Sequence, residues 1–153
     1  MTVELATALK MIAAAHSEAA RRSILVSAAV VDAGGHLVAF GRMDGAEIAG
    51  PVLAVDKAYT SVANRMATSE LATLAAPGGE LFGIHANGGG RFVIFGGGVP
   101  IVVDGAVVGG VGVSGASAAE DEACALAALA VEAASGDCPN VEPDGGAWLG
   151  SGY

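Results

Sequence analysis

Two apolar runs, Val99 to Val103 and Ala106 to Val113, are separated only by Asp104-Gly105. An Asp-Gly pair in that position signals a two-residue hairpin, because both central residues of the turn take positive φ. The stretch GGGVPIVVDGAVVGGVGVSG, residues 96 to 115, is read as a central β-hairpin, with Phe92 to Phe95 just before it as a further strand. A second hairpin is predicted from the β-branched run Ile24 to Val31, the turn Asp32-Ala33-Gly34-Gly35 and the strand His36 to Gly41. Asp32 opens that turn by accepting the backbone amides that follow it.

The remaining apolar positions recur every three or four residues, which is helix spacing. From Thr2 to Arg22 the stripe is Leu5, Leu9, Ile12, His16 and Ala19; from Ile48 to Met66 it is Ile48, Val52, Val55, Tyr59, Val62 and Met66, with Pro51 in the first turn. Thr68 or Ser69 opens a short helix that ends before Pro77-Gly78-Gly79. Ser117 and Glu120 have the spacing of a capping box ahead of an alanine-leucine helix that runs to about Ala134. The order is helix, hairpin, two helices, three strands and a terminal helix. That order predicts an α/β (α+β) fold with a single antiparallel sheet of about five strands covered by helices. Residues 1–135 form the domain, and 136–153, rich in glycine and proline, form a C-terminal extension.

Composition changes this picture at two points. Between Phe92 and Ala119 the only charge is Asp104, so hydropathy alone would suggest a membrane span. Glycines 96–98, Pro100 and glycines 109, 110 and 112 would break a spanning helix, whereas strands covered by helices tolerate them. Across the 153 residues, 53% are hydrophobic and mean hydropathy is +0.58, but 24 are glycine and only 5% aromatic. Such a core is built from small residues, and its leftover apolar faces are expected to end in a homo-oligomer interface. The net charge of −9 opposes nucleic acid and anionic membrane surfaces.

Cys124 and Cys138 have no metal-ligand spacing and read as free thiols in a reducing compartment. No secretory signal pattern opens the chain, so a cytoplasmic location is expected. Glu120, Asp121 and Glu122 suit the positive end of a helix dipole without a metal ion.

Candidate chemistry rests on a few side chains. His16 falls on an apolar stripe, as a core histidine with a backbone partner or as a ligand aimed between elements. Arg42 and Asp44, two apart at a strand end, pair with each other, or Arg42 forks onto a carboxylate. Lys57 reads as a surface charge unless geometry promotes it, and His85 lies on a glycine-bearing loop of the kind that carries chemistry.

The segments VVDAGGHLVAFGRMDGA (30 to 46), AVDKAYTS (54 to 61), NRMATSELATL (64 to 74), the central hairpin and ASAAEDEACALAA after it resemble the haem-degrading domain family, the GlcG/HbpS-like group that includes the PduO C-terminal domain. The resemblance spans about residues 2 to 135. It implies a profilin-like or PAS-like fold, homo-oligomers and, in some members, bound haem or a related tetrapyrrole. It also implies a first-helix histidine as axial ligand, and His16 matches that position. Two functions follow. One is a small-ligand-binding protein that takes haem through His16. The other is a cofactor-independent enzyme for proton transfer, isomerisation or hydrolysis of a small polar, carboxylate-bearing metabolite. There Arg42 would anchor the carboxylate, His85 or Asp44 would move a proton, and Lys57 would supply charge or a nucleophilic amine.

Overall fold

The computed structural model describes residues 2–134; the predicted extension, with Cys138, lies outside them. The elements are α1 (Leu5–Arg21), β1 (Ser27–Asp32), β2 (Leu37–Arg42), α2 (Gly50–Asn64), α3 (Thr68–Leu74), β3 (Gly98–Val103), β4 (Ala106–Ser114) and α4 (Ala118–Ala134). Short 3-10 turns occupy Ile84–Ala86 and Gly88–Gly90. All strand pairs are antiparallel in the order β2-β1-β4-β3, so the class is α+β as expected, and β2 and β3 are the edges.

Both hairpins close by the local chemistry their sequences carry. Asp104 and Gly105 have φ of 50° and 78°, as a two-residue primed turn requires. Asp32 Oδ1 accepts the amides of Gly34 and His36, each at 2.9 Å. Those amides, chiefly that of His36, hold its carboxyl below the usual range. The capping box forms in full: the Glu120 amide donates to Ser117 Oγ, and the Ser117 amide to Glu120 Oε2.

The described sheet has four strands rather than about five. Phe92 to Phe95 does not join it. The Val93 amide donates instead to Thr60 Oγ1 on α2 at 3.0 Å, so this segment crosses the helix before Gly97, at φ 123°, turns it into β3. Thr68 also departs from expectation. Ala67 precedes α3 as its N-cap, and the Thr68 hydroxyl accepts the Gly98 amide at 2.9 Å, tying α3 to the start of β3.

The two faces of the sheet are packed differently. Val111 and Val113 of β4, with Ala28 and Val30 of β1, join a core with Ala8, Met11, Ile12, Ala15 and Ala19 of α1 and Cys124, Ala125 and Ala128 of α4. The alternate residues of β4 are glycines that meet α2. A Cβ on Gly112 would lie 2.0 Å from the Ala54 carbonyl oxygen, and one on Gly110 2.7 Å from that of Ala58. Backbone contact at that range selects the small side of α2. Ala54, Lys57, Ala58 and Ser61 are buried, whereas Ile48 is 89% exposed and Val52 is exposed. The stripes expected from the larger residues are thus rotated in both helices, since on α1 Leu5 and Leu9 face outward.

Candidate functional site

His16 lies half-buried on α1 beside β2, the strand at the sheet edge. Its Nε2 is 3.2 Å from the Gly41 carbonyl oxygen. A carbonyl only accepts, so Nε2 carries a proton in this conformation. Gly41 makes room for the ring: a Cβ there would fall 2.8 Å from His16 Cε1 and 3.0 Å from Ile12 Cγ2. Leu5 and Leu9 precede His16 at helical spacing, and Leu37 shares the α1-facing side of β2 with Ala39 and Gly41; all three leucines are exposed. One half-buried imidazole on a face that also carries exposed leucines fits a flat, largely apolar group that takes a nitrogen ligand. His36 stands apart, exposed beside Asp32, with Nδ1 3.3 Å from Oδ1.

Lys57 is not a surface charge. It is 0% exposed, and its Nζ donates to Asp121 Oδ2 at 2.8 Å and to the Val113 carbonyl at 2.9 Å. The Phe95 ring centroid lies 5.0 Å from the same nitrogen. Gly97 leaves the space for this passage, because a Cβ there would be 2.8 Å from Nζ. The lysine thereby joins α2, on one face of the sheet, to the first turn of α4, on the other. Desolvation pushes Lys57 below the usual lysine range and Asp121 above the usual carboxyl range, each partly offset by the other's charge and hydrogen bond.

Arg42 does not pair with Asp44; its Nε donates to the Ala46 carbonyl at 3.0 Å, and Nη2 reaches the same oxygen. Asp44 is exposed in the following turn, and His85 is exposed in the 3-10 turn Ile84–Ala86. Arg42, Asp44 and Lys57 belong to the stretch that leaves β2 and enters α2, while His85 sits beyond α3. The four therefore do not share one hydrogen-bonded cluster.

Sequence reasoning passed over several partners. Asp121 was read only as a helix-start carboxylate. Arg91 pairs with Asp56 at 2.7 Å and stacks its guanidinium 3.7 Å from the centroid of the Tyr59 ring. Arg65 caps α2 in the left-handed conformation, at φ 54°. No cluster of His, Cys, Asp or Glu that could hold a metal ion occurs among the described residues, and no helix there is long and apolar enough to cross a membrane.

Comparison with known proteins bears on this geometry. Residues 3–130 match the family described as haem degrading protein HbpS-like. A 15.0 kDa protein of Citrobacter freundii, from the dhaT-dhaS intergenic region, is 38% identical over 128 residues, covering 84% of this chain and 90% of that one. The crystal structure of Klebsiella pneumoniae ORFY superposes with a TM-score of 0.85 at 34% identity, covering 88% of this chain and 92% of the other. That of a PduOC:heme complex superposes at 0.82, also at 34% identity, covering 86% of this chain and 95% of its own.

Proposed function

Since the chain belongs to the HbpS-like family, we propose that it is a small-ligand-binding protein that takes haem or a related tetrapyrrole, with His16 as the axial ligand. The observation that carries the reading is His16 set half-buried against the bare backbone of Gly41, on a helix stripe whose Leu5 and Leu9 are exposed. Haem, when bound, would supply an iron centre whose reactivity follows its axial ligand and surroundings. The chain's own residues would hold it. Leu5, Leu9 and Leu37 offer apolar surface to the macrocycle, and the imidazole must release the Gly41 carbonyl for Nε2 to serve as ligand. That release costs about 1 kcal/mol, small beside the worth of an iron–nitrogen bond.

The test is a haemin titration followed in the Soret region. A saturable band that His16→Ala removes supports the assignment. Its absence, or a band undiminished in His16→Ala, refutes it. Gly41→Ala should also weaken binding, because the added methyl group invades the space of the ring.

The exposed apolar side chains Phe40, Ile48 and Val52 favour a homo-oligomer, and the buried reduced thiol of Cys124 suits a cytoplasmic setting. A second reading, a cofactor-independent enzyme acting on a small carboxylate, draws on the desolvated amine of Lys57. Its test is turnover that falls when Arg42, Asp44, Lys57 or His85 is replaced singly.

A further inference from the structure

On the α2 side of the sheet, at the end where both hairpins turn, lies a cleft of about 610 Å³. It is lined by Ala33, Gly34 and Gly35 of the first turn, Gly105 of the second, and Tyr59 and Arg65 of α2 and its cap. Its size is that of a small-molecule pocket.

Arg65 is the unusual member. The other four arginine side chains bond inside the protein: Arg21 and Arg22 to Glu18, Arg42 to the Ala46 carbonyl and Arg91 to Asp56. The Arg65 side chain has no such partner among the described residues, in a chain whose net charge is −9. Its backbone also sits at φ 54°, ψ 37°, the helix-ending conformation for which glycine is the cheaper residue. Arg65 is exposed, and it stands without a protein partner, at a costly backbone position, beside the cleft.

Arg65 is the cation that would hold an anion here. Two of the last four carbonyls of α2 are satisfied, Val62 by the Arg65 amide at 3.3 Å and Ser61 by the Met66 amide at 3.2 Å. Asp32, the nearest carboxylate on the first turn, has Oδ1 committed to the Gly34 and His36 amides. Asp104 is exposed at the tip of the other hairpin. Tyr59 is braced by the Arg91 guanidinium and by Gly35, where a Cβ would lie 2.7 Å from the ring. Its hydroxyl has no hydrogen-bond partner among the described residues.

We propose that this cleft is a binding site for a small hydroxylated organic acid, its carboxylate forked by Arg65 and its hydroxyl bonded by Tyr59. The site is separate from that of His16, which lies on the α1 side.

The test is NMR of the full chain labelled with nitrogen-15, read at the arginine Nε–H signals during titration with malonate, hydroxymalonate and neutral malonamide. Expected are saturable shifts of the Arg65 signal with both acids, none with malonamide, and binding of hydroxymalonate about fivefold tighter than malonate. Tyr59→Phe should erase that fivefold difference. Arg65→Gly should abolish binding of both acids, raise Tm by about 2–4 °C and leave the haemin Soret band intact. Loss of that band in the wild-type protein would strike at His16 and leave this site standing. The site is refuted by an absence of saturable shifts with the acids, by equal binding of malonamide, by binding retained in Arg65→Gly, or by a fall in Tm that makes Arg65 a structural residue.

Discussion

Replacing Lys57 by Met keeps the length of the side chain, removes the ammonium and leaves Asp121 in place. Two of the three wild-type donors bond to Asp121 and the Val113 carbonyl, and the ammonium also lies over the Phe95 ring. In the variant the Asp121 carboxylate keeps only the Ala116 amide, at 3.0 Å, and has no water to turn to, since the residue is 2% exposed. Orphaning one member of a buried pair costs about 3–5 kcal/mol. For a chain of this length that lowers Tm by about 6–20 °C. The double variant Lys57→Met/Asp121→Leu should recover most of the loss, short by about 1 kcal/mol for the Ala116 amide left without its acceptor.

The pH dependence separates this account from simple loss of packing. Asp121 has a raised folded pKa, so its contribution is full below the ordinary carboxyl range and is lost as pH rises through the raised value. Removing Lys57 removes its hydrogen bond and its charge, two of the three influences that lower that value, and leaves the Ala116 amide. The deficit of Lys57→Met should therefore be largest near neutrality and shrink towards about pH 4. Lys57 has a lowered folded pKa, so its contribution is full above the ordinary lysine range and is lost as pH falls through the lowered value. Asp121→Asn should accordingly show a deficit that shrinks towards about pH 10. Urea unfolding across that range measures both. Deficits under about 1 kcal/mol, or ones that do not change with pH, would refute the reasoning.

Gly112→Ala should lower stability by about 3 kcal/mol or more in urea unfolding, because the methyl group would overlap the Ala54 carbonyl oxygen and push α2 off the sheet. Ser117→Ala should cost about 1 kcal/mol by the same assay, through loss of the helix cap. The Cys124 thiol is buried, and desolvation pushes it up to about 11. With Cys138→Ser to isolate it, native protein at pH 8 should leave an aromatic disulfide reagent unreacted over minutes, and unfolded protein should react at once.

What could be read in advance was whatever local chemistry decides. Asp104-Gly105 and Asp32 build their turns from neighbouring atoms, and Ser117 and Glu120 cap α4 within one helical turn. The orientation of the helices could not be read that way. Ranking residues by size put Val52 and Tyr59 of α2 and Leu5 and Leu9 of α1 inward, yet alanines are buried on both helices. The signal that would have corrected α2 is on another element: Gly110 and Gly112 alternate along β4 and accept only a backbone-close partner. Lys57 went unrecognised for the same reason, since Asp121 is 64 residues away and only the docked helix brings the two together. The segment Phe92 to Phe95 has the composition of a strand, but its Val93 amide is taken by Thr60 before a sheet edge can use it.

The alternation of glycine and valine in β4 has consequences beyond packing. Its glycine side draws α2 so close that the helix has one rotation available, and that rotation sends Lys57 inward and sets Tyr59 and Arg65 at the cleft. Its valine side is met by the alanines of α1, which are too short to need the leucines of that helix as well. Leu5 and Leu9 are then left exposed on the α1 stripe that carries His16, as Leu37 is on β2. Apolar surface of that kind opposes solubility unless a ligand or a second copy covers it. The exposed face that carries His16 is thus produced by the same choice of small residues that holds the sheet and helices together, and a larger side chain at Ala8 or Ala15 would disturb the core and the candidate haem site at once.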